Sequence, residues 1–331
     1  MRTTTRRTVG ALLATALAIG MSACASSADH STPGGDAGAA GGGSAFPTTV
    51  EHEFGETTIE SEPQRVVTLG WGDVDNAIDL GVNPVAYTRS AHFPGLQPWA
   101  EEVAGDIDAV DLGTDSELDY EEIAALEPDL IVDVQGGTDD DQYARLSSIA
   151  PTVARPAGTN PWQVSRAAAT RQIAQALGRT EAGEQLLAEL DEEIAQTKAR
   201  YPHLEGKTGN AVLVSDQTTY WAFHDRDGRG EFIETIGMRI PEEIGARDDG
   251  SSFTLQVSAE EVELFDGDVV LFLTDDESFV PSENNELFER FDAELLTLTP
   301  TERQAISVNT PLSIAYALDT LVPRIADAVQ D

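Results

Sequence analysis

Residues 180–201 form a long amphipathic stretch in which Leu186, Leu187, Leu190 and Ile194 recur at three- and four-residue spacing. That period writes one apolar stripe along an α-helix. About 20 residues at 1.5 Å each span ~30 Å, enough to cross from one packed body to another. The segments on either side alternate short apolar runs with helical patterns, so the helix divides the chain into two α/β halves. Strands alternating with helices imply a largely parallel sheet in each half, covered by helices on both faces.

In the first half, residues 50–59 read as a hairpin around Gly55, followed by strands at 65–69, 84–87, 129–133 and 151–154. Helices are expected at 73–80, stopping at Gly81, at 118–127, ended by Pro128, at 142–149 and at 162–177. The second half gives strands at 210–215, 219–223 and 268–273, and helices at 231–236, at 259–265 with Ser258 as the cap, and at 312–329.

The N-terminus constrains location. Arg2, Arg6 and Arg7 precede an apolar run over 9–21 that falls well short of the ~20 residues needed to cross a bilayer, which reads as a signal peptide over 1–23. Met21-Ser22-Ala23-Cys24 resembles a bacterial lipobox, with Met21 where leucine is commoner, and implies cleavage before Cys24 and lipidation of its thiol. The paired arginines also resemble a twin-arginine signal. The Gly-, Ser- and Ala-rich residues 24–45 then form a flexible tether with a reach of roughly 25 Å. The chain is therefore expected at the cell membrane, lipid-anchored on the extracytoplasmic face. Cys24 is the sole cysteine, so packing alone must stabilise the body.

Charge excludes some partners. With the three leader arginines removed, 59 acidic against 17 basic residues leave a net charge of −42. Nucleic-acid binding needs a basic stripe that this chain lacks. The five histidines are scattered and show no metal-ligand spacing, which argues against direct zinc or manganese capture. There is no Gly-x-Ser-x-Gly elbow, no Walker loop, no His-Glu-x-x-His and no free cysteine nucleophile, so no enzyme is expected.

Several segments together carry a family likeness: Pro63-Gln64-Arg65-Val66-Val67 followed by Asp75, residues 80–85 (LGVNPV), 119–133 (DYEEIAALEPDLIVD), 146–153 (LSSIAPTV), 173–178 (IAQALG) and 232–237 (FIETIG). In this order they resemble the substrate-binding proteins of bacterial iron-siderophore and cobalamin ABC importers. The resemblance implies an α/β fold of two Rossmann-like lobes with mainly parallel sheets joined by a long backbone helix, like class III periplasmic binding proteins. The lobes would occupy 46–178 and 204–331, with the connecting helix at 179–203. It implies a monomer that captures a ferric-siderophore complex, with no resident cofactor and no metal bound directly by the protein, and delivers it to an ABC permease with its ATPase. A cobalamin- or haem-binding protein of the same fold is the alternative, with Tyr220 or His92 as a possible axial ligand of haem.

The resemblance also places one glutamate on the outer face of each lobe to meet permease arginines; Glu121 and Glu234 match those positions. Tyr120, Ile123 and Ala124 are expected on the buried side of the first of these helices. The ligand site is expected where strand ends from both lobes face the cleft. Trp71, Arg89 and Gln135 follow strands of the first lobe, Trp221 and Phe223 share a strand face in the second, and Arg229, Arg247 and Phe279 sit in its loops. Aromatic walls would suit an organic shell, and arginines would donate to chelating oxygens. Asp115 stands where some ferric-hydroxamate binders carry arginine. Tris-catecholate iron complexes are trianionic and would be repelled by this field at low salt, so a hydroxamate or mixed-ligand siderophore is expected.

Overall fold

The computed structural model describes residues 45–90, 95–216, 218–276 and 278–330; the leader, Cys24, the tether up to Ser44 and His92 lie outside them. The first lobe opens with an antiparallel hairpin, β1 (Thr48–His52) and β2 (Gly55–Ile59). Then follow β3 (Val66–Thr68), α1 (Asp73–Asp79), β4 (Ala86–Tyr87), α2 (Pro98–Ala104), β5 (Val110–Asp111), α3 (Tyr120–Ala125), β6 (Leu130–Asp133), α4 (Asp140–Ser147) and β7 (Thr152–Ala154). These strands form one sheet in the order β5-β4-β3-β6-β7, with every pairing parallel. Its central strands are buried on both faces, which explains their unbroken apolar runs. Val66, Leu130 and Val132 pack towards α5 (Arg166–Ala176), and Val67 and Ile131 pack towards Ile123 of α3 and Leu146 of α4.

The long helix α6 (Thr180–Arg200) starts just after Gly178, whose φ of 66° ends α5. Leu187 and Leu190 of the expected stripe are buried, and Leu186 and Ile194 pack partly buried beside them. The second lobe comprises β8 (Gly209–Val214), β9 (Thr219–Phe223), α7 (Gly228–Thr235), α8 (Glu242–Gly245), β10 (Thr254–Ser258), β11 (Val269–Leu273), α9 (Pro281–Asn284), β12 (Glu294–Thr297), α10 (Pro300–Val308) and α11 (Pro311–Ala328). Its sheet runs β10-β9-β8-β11-β12. β8, β11 and β12 are parallel, whereas β9 is antiparallel to both of its neighbours, so this half is only partly parallel.

Three expectations are corrected. The helix expected from Trp162 begins at Arg166, because the Ser165 hydroxyl caps it by accepting from the Ala168 N–H. Trp162 itself has a φ of 57° and sits in a turn. Residue Ser258 ends strand β10 and is followed only by a 3-10 turn over Val262–Phe265. Ala124 is exposed rather than buried. The joining helix α6 is present as expected, and a second helix shares the brace. α11 of the second lobe packs on α6 and on α1 and α2 of the first, in an apolar cluster that joins Val74, Ile78 and Trp99 to Ile314, Leu318 and Leu321.

Candidate functional site

The loops that leave the first sheet at β3 and β6 are tied together before they reach the second lobe. Asp73, at the start of α1, accepts backbone N–H bonds from Gly70 (3.0 Å), Val134 (2.8 Å) and Gln135 (3.1 Å). This holds Trp71 and Gln135 side by side. Between Trp71 and Asp73, Gly72 allows a close approach: a Cβ there would meet Thr310 Cγ2 of the second lobe at 2.6 Å. Polar ties then cross the seam. Gln135 Nε2 donates to the Val308 carbonyl (3.1 Å), the Thr310 hydroxyl donates to Asp75 (3.1 Å), and Arg166 donates to Asn309 Oδ1 (2.6 Å).

Above these ties lies a small recess of about 30 Å³, lined by Trp71, Gln135 and Trp162 from one lobe and by Asp227, Arg229 and Asn309 from the other. A second recess of about 180 Å³ lies on the first-lobe side, lined by Asp115, Asp133, Thr138, Gln142 and again Trp162. Trp162 is the wall common to both and is 44% exposed. Its ring covers Gly137, where a Cβ would meet the indole Cζ2 at 2.1 Å. Each recess is smaller than the ~300–1,000 Å³ usual for an organic ligand. With this indole as their shared wall, the two recesses make up one trough beside the seam.

The structure brings together Trp71, Gln135 and Arg229 of the expected ligand residues, and it adds Trp162, which the helical reading of 162–177 concealed. The signal for a turn was present: Asn160-Pro161 before the tryptophan and a serine cap at 165 after it. Arg229 is held firmly, with Nε and a terminal nitrogen each donating to Asp227 at 2.6 Å and its guanidinium lying 3.9 Å from the centre of the Phe223 ring. Phe223 is therefore buried support beneath the arginine, not a wall of the recess. Both ends of the Gln135 amide are engaged, Nε2 with Val308 and Oε1 accepting from Asn76 at 3.2 Å.

Other expected residues lie apart from this recess. Arg89 pairs with Asp111 (2.9 Å), and exposed Arg247 pairs with Glu261 (3.4 Å). Trp221 lies on β9 opposite Gln256 and Leu213 and lines neither recess. Phe279 lines a different cavity, of about 400 Å³, beside Thr274, Thr297 and Pro300 at the ends of β11 and β12. Tyr220, considered as an axial haem ligand, is wholly buried in the second-lobe core with its hydroxyl bonded to Asn284. Glu121 and Glu234 are both exposed, in the first turn of α3 and near the end of α7.

Carboxylates gather beneath the tryptophans. Burial pushes Asp73 up to about 6, against its three N–H donors. It pushes Asp133 up to about 8, helped by the negative charges of Asp73 and Asp115 and opposed by Arg155. Asp75 rises to about 7, again through burial, despite hydrogen bonds from Trp99 and Thr310. In the unfolded chain all three titrate near 3.8. Above pH ~5, beyond the range where the lowered carboxylates such as Asp268 and Asp276 act in the opposite sense, and up to pH ~8 the folded state therefore binds more protons than the unfolded one, and stability falls as pH rises. His52, lowered by burial, acts in the opposite sense near pH 6 but is a single group. Thermal unfolding is expected to occur at least about 5 °C lower at pH 8.5 than at pH 5.5, and a flat or rising profile would contradict this.

Comparison with known proteins follows this geometry. The family model described as "Periplasmic binding protein" matches residues 66–293. YhfQ of Bacillus subtilis (strain 168), provisionally named an ABC transporter substrate-binding lipoprotein, is 26% identical over 261 residues, 74% of this chain and 77% of the relative. The Fe(3+)-citrate-binding protein YfmC of the same organism is 29% identical over 190 residues, 57% of this chain and 58% of the relative. The crystal structure of Streptococcus pneumoniae TIGR4 PiaA in complex with ferrichrome superposes with a TM-score of 0.73 at 26% identity, covering 85% of this chain and 98% of that one. Two α/β lobes joined by α6, meeting at a tryptophan-walled seam, and a family match over most of the folded body lead to one assignment: the chain belongs to the periplasmic binding protein family.

Proposed function

We propose that this chain is the extracytoplasmic substrate-binding protein of an ABC importer, which captures a ferric-siderophore complex and delivers it to the permease for iron uptake. The observation that carries the reading is the seam itself, where Trp71 and Trp162 of one lobe face the anchored Arg229 of the other. Aromatic faces contact the organic shell of a chelate, and a guanidinium with two of its five N–H groups given to Asp227 keeps others for chelating oxygens. Relatives named for ferric citrate and crystallised with ferrichrome support a ferric chelate as the class.

Within that class the chain takes a hydroxamate or mixed-ligand siderophore. A net charge of −39 for the whole chain disfavours approach of a trianionic catecholate at low ionic strength. Lipidation at Cys24, with residues 24–45 as tether, keeps the monomer at the membrane, in keeping with the lipoprotein name of YhfQ. Glu121 and Glu234 dock the two lobes on the permease. Titration of the purified protein with a ferric hydroxamate, a ferric catecholate, haem, cobalamin and Zn²⁺, followed by tryptophan quenching, tests the reading. Saturable quenching by the hydroxamate at the lowest concentration is expected. Preference for haem, cobalamin or bare Zn²⁺ would overturn it.

A further inference from the structure

Asp115 occupies a position that the capture reading leaves unexplained. It sits in the loop after β5, part-buried, and lines the larger recess with Asp133. Its Oδ2 accepts the Trp71 indole N–H at 2.9 Å, and Trp162 lines the same recess as Asp115. One side chain thus holds one aromatic wall of the trough and borders the other. Trp71 is otherwise set by the Gly70–Gly72 turn, so Asp115 is the polar anchor of its indole, while Trp162 rests on Gly137.

The same group also carries charge. Asp115 and Asp133 both border the space a guest would enter, and Asp73 lies behind them, while the nearest cation on this lobe that acts on Asp133 is Arg155. Across the seam the charge of Arg229 is matched by Asp227 at 2.6 Å. Burial holds Asp133 largely protonated at neutral pH, so Asp115 is the carboxylate that makes the first-lobe side of the trough acidic. Charged groups bordering a partly desolvated site discriminate mainly by repelling the wrong partner.

We propose that Asp115 is the positioning and selectivity residue of this site: it pins Trp71 beside Trp162 and makes the trough accept neutral or cationic ferric chelates over those that present uncompensated carboxylate or catecholate oxygens. This rests on the ferric-chelate reading above and adds the charge class of the chelate and the residue that sets it.

Two substitutions separate the roles. Asp115→Asn keeps a carbonyl oxygen for the Trp71 N–H but removes the charge; Asp115→Ala removes both. Affinities are measured for ferrioxamine B (cationic), ferrichrome (neutral) and ferric citrate (anionic), along with the indole N–H resonances of the unliganded protein. In Asp115→Asn the preference for ferrioxamine B over ferric citrate is expected to fall by about tenfold or more, with ferrichrome changed by less than about threefold. In Asp115→Ala the same loss of preference is expected together with shifted Trp71 and Trp162 resonances and about tenfold weaker ferrichrome binding. A merely structural aspartate would weaken all three chelates in parallel. An Asp115→Asn protein that keeps the wild-type ranking within about twofold overturns the assignment and leaves the capture reading standing. A wild-type protein that binds none of the three overturns both.

Discussion

Replacing Glu121 and Glu234 together with alanine is expected to reduce iron uptake by about 30-fold or more, to the level of cells lacking the protein, while the affinity for the ferric chelate stays within about twofold. Both side chains are exposed, and neither lines a recess at the seam. Glu121 is set at the start of α3 by the Asp119 side chain, which accepts the N–H groups of Glu121 (2.9 Å) and Glu122 (3.0 Å). Glu234 lies on the opposite lobe near Asp225 and Glu231, and burial first and then those charges hold its carboxyl above the ordinary value. A single exposed ion pair contributes only ~0.2–1 kcal/mol, so either substitution alone is expected to cost a few-fold. Two contacts on separate lobes fix orientation as well as attraction, and losing both removes the register. Uptake by reconstituted vesicles and chelate titration of the same protein check this. A drop in chelate affinity, or unchanged uptake, would contradict it.

The second large effect concerns the aromatic walls. Trp162→Ala is expected to weaken ferric-chelate binding by about 30- to 100-fold, and the double substitution with Trp71→Ala by more. Trp162 is 44% exposed and lies outside the core clusters, so its removal should leave thermal stability nearly unchanged. That separation matters, since loss of binding with an intact melting temperature identifies a contact residue. Trp71 is part-buried against the apolar cluster that joins the lobes and is hydrogen-bonded to Asp115, so its removal is expected to cost some stability as well. Calorimetric titration with ferrichrome measures both. Wild-type affinity in Trp162→Ala would remove this residue from the site.

The framework was readable because its physics is local. The stripe of α6 and the apolar runs of β3, β6 and β11 report burial directly through their period, and Gly178 and Gly237 end helices with positive φ, as their positions suggest. α10 carries an equally local signal, since Thr299-Pro300-Thr301-Glu302 forms a capping box with proline in the first turn. The site was harder to read. Trp162 follows Asn160-Pro161 and precedes a serine cap, but an aromatic next to a helical segment reads as part of it. Whether an arginine meets a guest or a carboxylate depends on the folded contacts: of the three expected arginines, Arg89 finds Asp111 and Arg247 finds Glu261, while Arg229, itself held by Asp227, lines the recess at the seam. The sharing of the brace between α6 and α11 is likewise a long-range fact, because α11 packs on helices more than 200 residues earlier.

High-spin Fe(III) offers the most direct measurement, because it broadens the NMR signals of nearby protons while the gallium complex of the same siderophore does not. The chain has four tryptophans, and each gives one indole N–H signal. On titration with ferrichrome, the signals of Trp71 and Trp162 are expected to broaden first and most. Trp99, buried and bonded to Asp75 at 2.6 Å, and Trp221 on β9 should persist longer. Broadening centred on Trp221 or Trp99, with Trp71 and Trp162 still sharp at saturation, would contradict a ferric chelate held at the seam of the two lobes.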